Sequence, residues 1–196
     1  MTRVVAAVLC TLLMATGAYA KTFYGQFSLS GSAFSDPGLV VNTYPSHGSG
    51  SFHLEAGESK HIDLFHIWTN EYYVNHDDKK PQSINAAFKF AGIGAGILSG
   101  TTVGSSYAYG LLQGGHVSWD NPLELAFGQG EKLILSLSDS KFNWGIFGTS
   151  PGYKHGANVK LKVTYEVAPV PLPASALLLL GGVAGLGLMR RRRKAA

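Results

Sequence analysis

Hydrophobic and polar positions alternate along much of the chain. The clearest run is Val159 to Val167, where Val159, Leu161, Val163, Tyr165 and Val167 interleave with Lys160, Lys162, Thr164 and Glu166. A period of two with one wet face predicts a strand of an antiparallel sheet. Phe23, Gly25, Phe27 and Leu29 alternate with Gln26 and Ser28, and Ile84, Ala86, Phe88 and Phe90 repeat the pattern. Leu123, Leu125 and Phe127 precede Gly128-Gln129-Gly130, and Leu133, Leu135 and Leu137 follow it, which predicts a hairpin. Weaker runs predict strands at Ser51 to Leu54, His61 to Thr69, Ile97 to Val103, Tyr107 to Leu112, His116 to Trp119 and Phe142 to Phe147.

Twenty glycines lie between Gly25 and Gly156, and no central run keeps helical periodicity. Short strands punctuated by glycine predict an all-β fold, a single antiparallel β-sandwich of about nine to eleven strands over residues 21–168. About 150 residues suffice for one core that buries roughly 70% of the unfolded surface. Ser35 to Gly50, with Asp36-Pro37-Gly38 and Pro45, and Asn70 to Ser83 read as loops.

The two ends follow other patterns. Arg3 precedes the apolar run Val4 to Ala15, and Ala18-Tyr19-Ala20 places small residues before Lys21. Residues 1–20 therefore read as a signal peptide cleaved between Ala20 and Lys21, which commits the chain to the export machinery. At the other end, Pro169-Val170-Pro171-Leu172-Pro173 is a stiff linker, and residues 174–189 are uncharged. Arg190, Arg191, Arg192, Arg193 and Lys194 close the chain. Sixteen helical residues reach ~24 Å, and starting at Leu172 with a snorkelling Arg190 brings the segment near the ~30 Å of an inner-membrane core. The cations of residues 190–196 keep that tail in the cytoplasm, so the middle of the chain lies outside.

Charge supports this division. The chain of 196 residues carries a formal +4 from sixteen Lys and Arg against twelve Asp and Glu. Arg3, Arg190 to Arg193 and Lys194 supply six of those cations, so the middle segment holds ten cations against twelve acids, a net of −2. A basic footprint for nucleic acid is thereby excluded from the folded part. The single Cys10 lies within the expected signal peptide, so the mature chain has no thiol for a disulfide or a nucleophile.

Val170-Pro171-Leu172-Pro173-Ala174, the apolar segment and Arg190 to Arg193 together resemble a PEP-CTERM sorting signal, in its VPLPA variant, of Gram-negative bacteria. Leu172 stands where the commonest motif has Glu. The resemblance implies recognition by an exosortase, a membrane transpeptidase-like enzyme. That enzyme would cleave near the motif and pass the protein to the cell surface or extracellular matrix. The run His61-Ile62-Asp63-Leu64-Phe65, with Trp68-Thr69 and Val74-Asn75, also resembles domains of surface proteins bearing this tail, and implies no particular activity.

Candidate chemistry in the middle segment is sparse. Gly148-Thr149-Ser150-Pro151-Gly152 fits G-x-S-x-G, but Pro151 cannot donate the oxyanion N–H and no Asp follows Ser150. It reads as a turn, and no catalytic residue or cofactor is assigned. On a regular strand His61 and Asp63 share one face and His66 takes the other, so that strand alone does not converge three metal ligands. Glu71, Asn75, Asp77 and Asp78 form an oxygen-rich loop that is a candidate for Ca²⁺. Trp68, Trp119, Trp144, Tyr72, Tyr73, Tyr107 and Tyr109 are candidates for stacking on an extracellular polysaccharide, with Trp119 better read as core. The expectation is a non-enzymatic surface or matrix protein with a structural or interaction role. The alternative is a surface-displayed module that binds carbohydrate or Ca²⁺.

Overall fold

The computed structural model describes residues 20–168, and they are all-β, with eleven strands and no α-helix. In chain order the strands are β1 (Ala20–Ser30), β2 (Val41–Tyr44), β3 (His47–Glu55), β4 (Ser59–Thr69), β5 (Gln82–Phe90) and β6 (Gly94–Tyr107), followed by β7 (Leu112–Trp119), β8 (Leu123–Phe127), β9 (Glu131–Leu137), β10 (Ser140–Ile146) and β11 (Ala157–Val167). They form two curled antiparallel sheets. The first has the order β10-β7-β6-β5-β1-β3 and the second β2-β4-β11-β9-β8.

Alternation drives the packing. In β11 Val159, Leu161, Val163 and Tyr165 are buried, while Lys160 and Lys162 stay in water. The same alternation buries Ile84, Ala86, Phe88 and Phe90 from β5 and Leu133, Leu135 and Leu137 from β9. These residues of both sheets belong to one hydrophobic cluster. Each fully buried Leu or Phe contributes about 1.5–3 kcal/mol relative to exposure. Phe23 of β1 meets Tyr165 of β11 edge-on, with ring centroids 5.2 Å apart. The Tyr165 hydroxyl donates to Glu131, which also pairs with Lys21 at 3.1 Å.

Several sequence expectations need correction. The segment Ser35 to Gly50 is not all loop: Val41–Tyr44 pairs with Thr69 to His66 as β2, and His47 to Gly50 open β3. Gln82 and Ser83 already belong to β5. Tyr107 to Leu112 is not a strand. Ala108 and Tyr109 adopt left-handed backbone, with φ of 51° and 56°, and the chain reverses between β6 and β7. In β4 the pairing with β11 slips at Leu64, because Phe65 faces Val159 whereas Asp63 faces Lys160. That bulge shifts the alternation, so Ile62 and Leu64 pack inward before it and Phe65, Ile67 and Thr69 after it. His66 therefore lies on the same outer face as His61 and Asp63, not on the opposite one.

Registers define two ends. Ala20, Val167 and the hairpin turn Gly128 to Gly130 gather at one end, where Ala168 N–H donates to Gly130 O at 2.8 Å. Both chain exits thus lie together. The β6–β7 turn, the segment after β10 and the loop between β4 and β5 occupy the far end. Ala18, residues 169–189 with the motif Val170 to Ala174, and Arg190 to Lys194 lie outside the described residues. No helix among the described residues is long and apolar enough to cross a membrane.

Candidate binding surface

The loop Asn70 to Pro81 carries the acids singled out above, and its oxygens hold backbone. Glu71 Oε1 accepts from Val40 N–H at 2.6 Å, Asp77 Oδ2 from Gly38 N–H at 3.2 Å and Asp78 Oδ2 from Asn75 N–H at 2.7 Å. Asn75 Oδ1 accepts from the N–H groups of Asp77 and Asp78 at 2.9 and 3.2 Å, an Asx turn. Glu71 and Asp78 are brought together, whereas Asp77 is directed to Gly38. No group of three or more His, Cys, Asp or Glu suited to a metal ion occurs among the described residues. The four candidates thus organise a loop and its neighbour, the Gly38–Val40 segment.

Burial sets the protonation of this pair. It pushes the Glu71 carboxyl up from 4.5 to about 7; the Val40 N–H opposes the shift, while the charges of Asp78 and Asp36 add to it. Asp78 is 1% exposed, and burial raises it too, against the Asn75 N–H and with the Asp77 charge adding. Asp78 Oδ1 is buried without a hydrogen-bond donor. Because the two carboxyls interact, a proton held by Glu71 relieves their mutual repulsion.

The histidines are dispersed. His53 Nδ1 lies 3.1 Å from Thr22 Oγ1 on the first sheet. His66 Nε2 donates to Tyr153 O at 2.8 Å on the second, and its ring sits 4.2 Å from that of Tyr153. Trp68 joins this pair, its ring 5.0 Å from Tyr153. Gly148 to Gly152 lies in the connection between β10 and β11, and only a three-residue 3-10 turn, Tyr153–His155, follows it.

The far end concentrates apolar surface. Twelve large hydrophobic side chains are exposed among the described residues, and eight of them belong to three segments there. Tyr72 and Tyr73 come from the β4–β5 loop. Tyr107, Tyr109, Leu111 and Leu112 come from the β6–β7 reversal, and Ile146 and Phe147 from the end of β10. Backbone bonds tie the segments into one surface. Phe147 N–H donates to Leu111 O at 2.7 Å, and Thr149 N–H to Tyr72 O at 2.9 Å. The buried Gln113 accepts from Val74 N–H at 2.6 Å and donates to Gly110 O at 2.9 Å. Asn143, fully buried, accepts from Thr69 N–H at 2.9 Å and donates to Ser150 O and Gly152 O.

Backbone strain gathers in the same place. Ala108, Tyr109, Asn143 and Phe147 are the non-glycine residues with positive φ among those described. Each non-glycine residue held there costs about 1–2 kcal/mol, less for Asn. Tyr109, at the tip, is fully exposed. Exposed rings held on strained, hydrogen-bonded backbone mark a surface that the fold maintains against its own preferences.

Beside this end, Trp144 lies on the outer face of the first sheet. Its ring covers Gly114, where an added Cβ would come within 2.6 Å of it. Tyr107 stacks on it with centroids 5.5 Å apart and planes 24° from parallel, and Lys141 Nζ lies 5.8 Å from the ring centre. Of the aromatic candidates from the sequence, Tyr107 and Trp144 are in contact, and Tyr72, Tyr73 and Tyr109 lie at the same end. Trp119 packs against the core, edge-on to Phe65, and Trp68 belongs to the other sheet. Leu111, Leu112, Ile146, Phe147 and Lys141 are additions that the sequence reading missed, because apolar residues in a short run signal a buried strand. Comparison with known protein families, curated proteins and solved structures finds no match for this chain.

Proposed function

We propose that this chain is an exported, exosortase-sorted protein of the cell surface or extracellular matrix, whose two sheets form a β-sandwich with an interaction role. The signal peptide takes the chain across the inner membrane. The C-terminal segment holds it there until an exosortase-type enzyme processes it at Val170 to Ala174. The observation that carries this reading is the agreement of fold and address: the described strands run from Ala20, the last residue of the expected signal peptide, to Val167, three residues before the expected sorting motif at Val170. Cleavage after Ala20 leaves Lys21 as the first residue, with its ammonium against Glu131 at 3.1 Å. The joined surface of exposed rings at the far end supports an interaction role over a purely space-filling one.

Intact mass spectrometry of the protein from its native cell surface, beside the membrane fraction, tests the proposal. The expected mature chain begins at Lys21 and ends within or next to Val170 to Ala174. A surface-located chain that still runs to Ala196 would defeat the sorting step.

A further inference from the structure

We infer that the outer face of the first sheet, from the Tyr107–Trp144 pair across β6 and β7, binds an anionic polysaccharide. This rests on the reading of the chain as an exported surface protein and names its ligand. Tyr107, exposed and backed by the Trp144 ring, offers an apolar face of the kind that packs against the C–H face of a sugar, and Tyr109 stands free at the rim. From there the outward side chains of β6 are Ser105, Val103, Thr101 and Ser99, flanked on β7 by His116 and by Ser118, which pairs with Thr101 at 3.1 Å. The distance from Ser99 to Tyr107 along the strand is ~26 Å, long enough for a chain of sugar rings rather than one.

Charge selects the class of polymer. The adjacent strands β10, β7, β6 and β5 contain no Asp or Glu, and their basic side chains are Lys89, Lys141 and His116. Lys141 stands over the Trp144 ring, where a carboxylate on a ring-stacked sugar would reach it. A groove of about 800 Å³ on the same sheet includes Gln26, Ser28, Ser49, Lys89 and Ile97 in its lining and continues the track away from the rings. The chain exits lie at the other end of the strands, so a membrane holding the C-terminus is not the surface these rings face. With hydroxyls along the strands, lysine beside the rings, and Asp120 and Asp139 only at the end of the track away from them, the face matches a polymer of acidic sugars better than lipid or a second copy of this chain.

Binding by the full-length chain in phosphatidylcholine nanodiscs tests this, with alginate as the anionic polymer and dextran as the neutral one. Alginate is expected to bind and dextran to bind much more weakly. Tyr107→Ala and Lys141→Glu should each weaken alginate binding about tenfold, while Trp68→Ala on the other sheet leaves it unchanged. Lys141→Arg, which keeps the charge, should restore it. No alginate binding, equal binding to dextran, or binding indifferent to Tyr107→Ala and Lys141→Glu would each overturn the inference. So would transfer of the response to phosphatidylglycerol vesicles or to self-association in sedimentation. The binding is measured on unprocessed chain, so a failure here leaves the sorting proposal standing, and an unprocessed surface protein leaves this result standing.

Discussion

Glu71 shows how a single side chain couples the far end to pH. Its carboxyl is pushed up from 4.5 to about 7 by burial, and it faces Asp78 and Asp36, with Asp77 beside Asp78 and the exposed Lys79 and Lys80 further along the loop. An acid whose folded value lies above its unfolded one binds more protons folded than unfolded. Its contribution to stability is complete below 4.5, declines as pH rises and is gone above about 7. Asp78 is shifted in the same direction, so the two effects add in sign. Thermal melts should therefore show a falling transition temperature between pH 5 and 7 from this pair. Glu71→Gln, neutral at every pH, should flatten that slope and leave the variant the more stable protein at pH 8. A wild-type slope that survives both Glu71→Gln and Asp78→Asn would place the titration elsewhere. The sequence shows these acids as one oxygen-rich loop. It does not show that Val40, Gly38 and Asn75 N–H groups claim the oxygens, because two of those donors come from a segment 31 and 39 residues before the acids they meet.

At the scale of elements, β7 explains how the bulged edge strand β10 is accommodated. Its Gly114-Gly115 pair leaves no side chain on either face, so Trp144 covers the outer side and Phe142 the inner side. A Cβ at Gly115 would meet the Phe142 ring at 2.2 Å, and Phe142 is 1% exposed. Gly115→Ala should therefore destabilise the protein by about 1–3 kcal/mol through overpacking, read as a lower urea midpoint. Gly114→Ala should cost less stability but lift Trp144 from the sheet, changing its fluorescence and its contact with Tyr107. Equal destabilisation by both would contradict the division into core and surface rings. Strands with strict alternation, such as β1, β5, β9 and β11, are legible because one face meets water. β2 is hidden by its four-residue length and by Pro45 directly after it. The bulge at Leu64 is hidden because an inserted residue in an apolar run leaves composition unchanged while reversing which side chains face out. In the reversal the left-handed positions 108 and 109 are Ala and Tyr rather than Asn or Gly, and only the following Gly110 hints at a turn.

For the whole molecule the decisive feature is polarity along the strands. The eleven residues of β11 span roughly 36 Å, from Ala157 near the apolar end to Val167 at the chain exit. No run of sequence carries that arrangement, because the exposed rings come from segments around Tyr72, Tyr109 and Phe147 that meet only in the folded chain. Under the proposed C-terminal anchoring, it would place the rings away from the membrane and toward the cell exterior. The lone Cys10 belongs to the expected signal peptide, so a cysteine introduced into the mature chain is a unique label site. Tyr109→Cys at the apolar tip and Gln129→Cys in the β8–β9 turn, each carrying a fluorophore, report on the two ends. In the chain from Lys21 onward, with its C-terminal segment retained and embedded in vesicles with quencher-bearing headgroups, the label at position 129 should be quenched strongly and that at 109 hardly at all. Stronger quenching at 109 would show the rings lying on the bilayer, and the outward-facing role assigned to them would have to be given up.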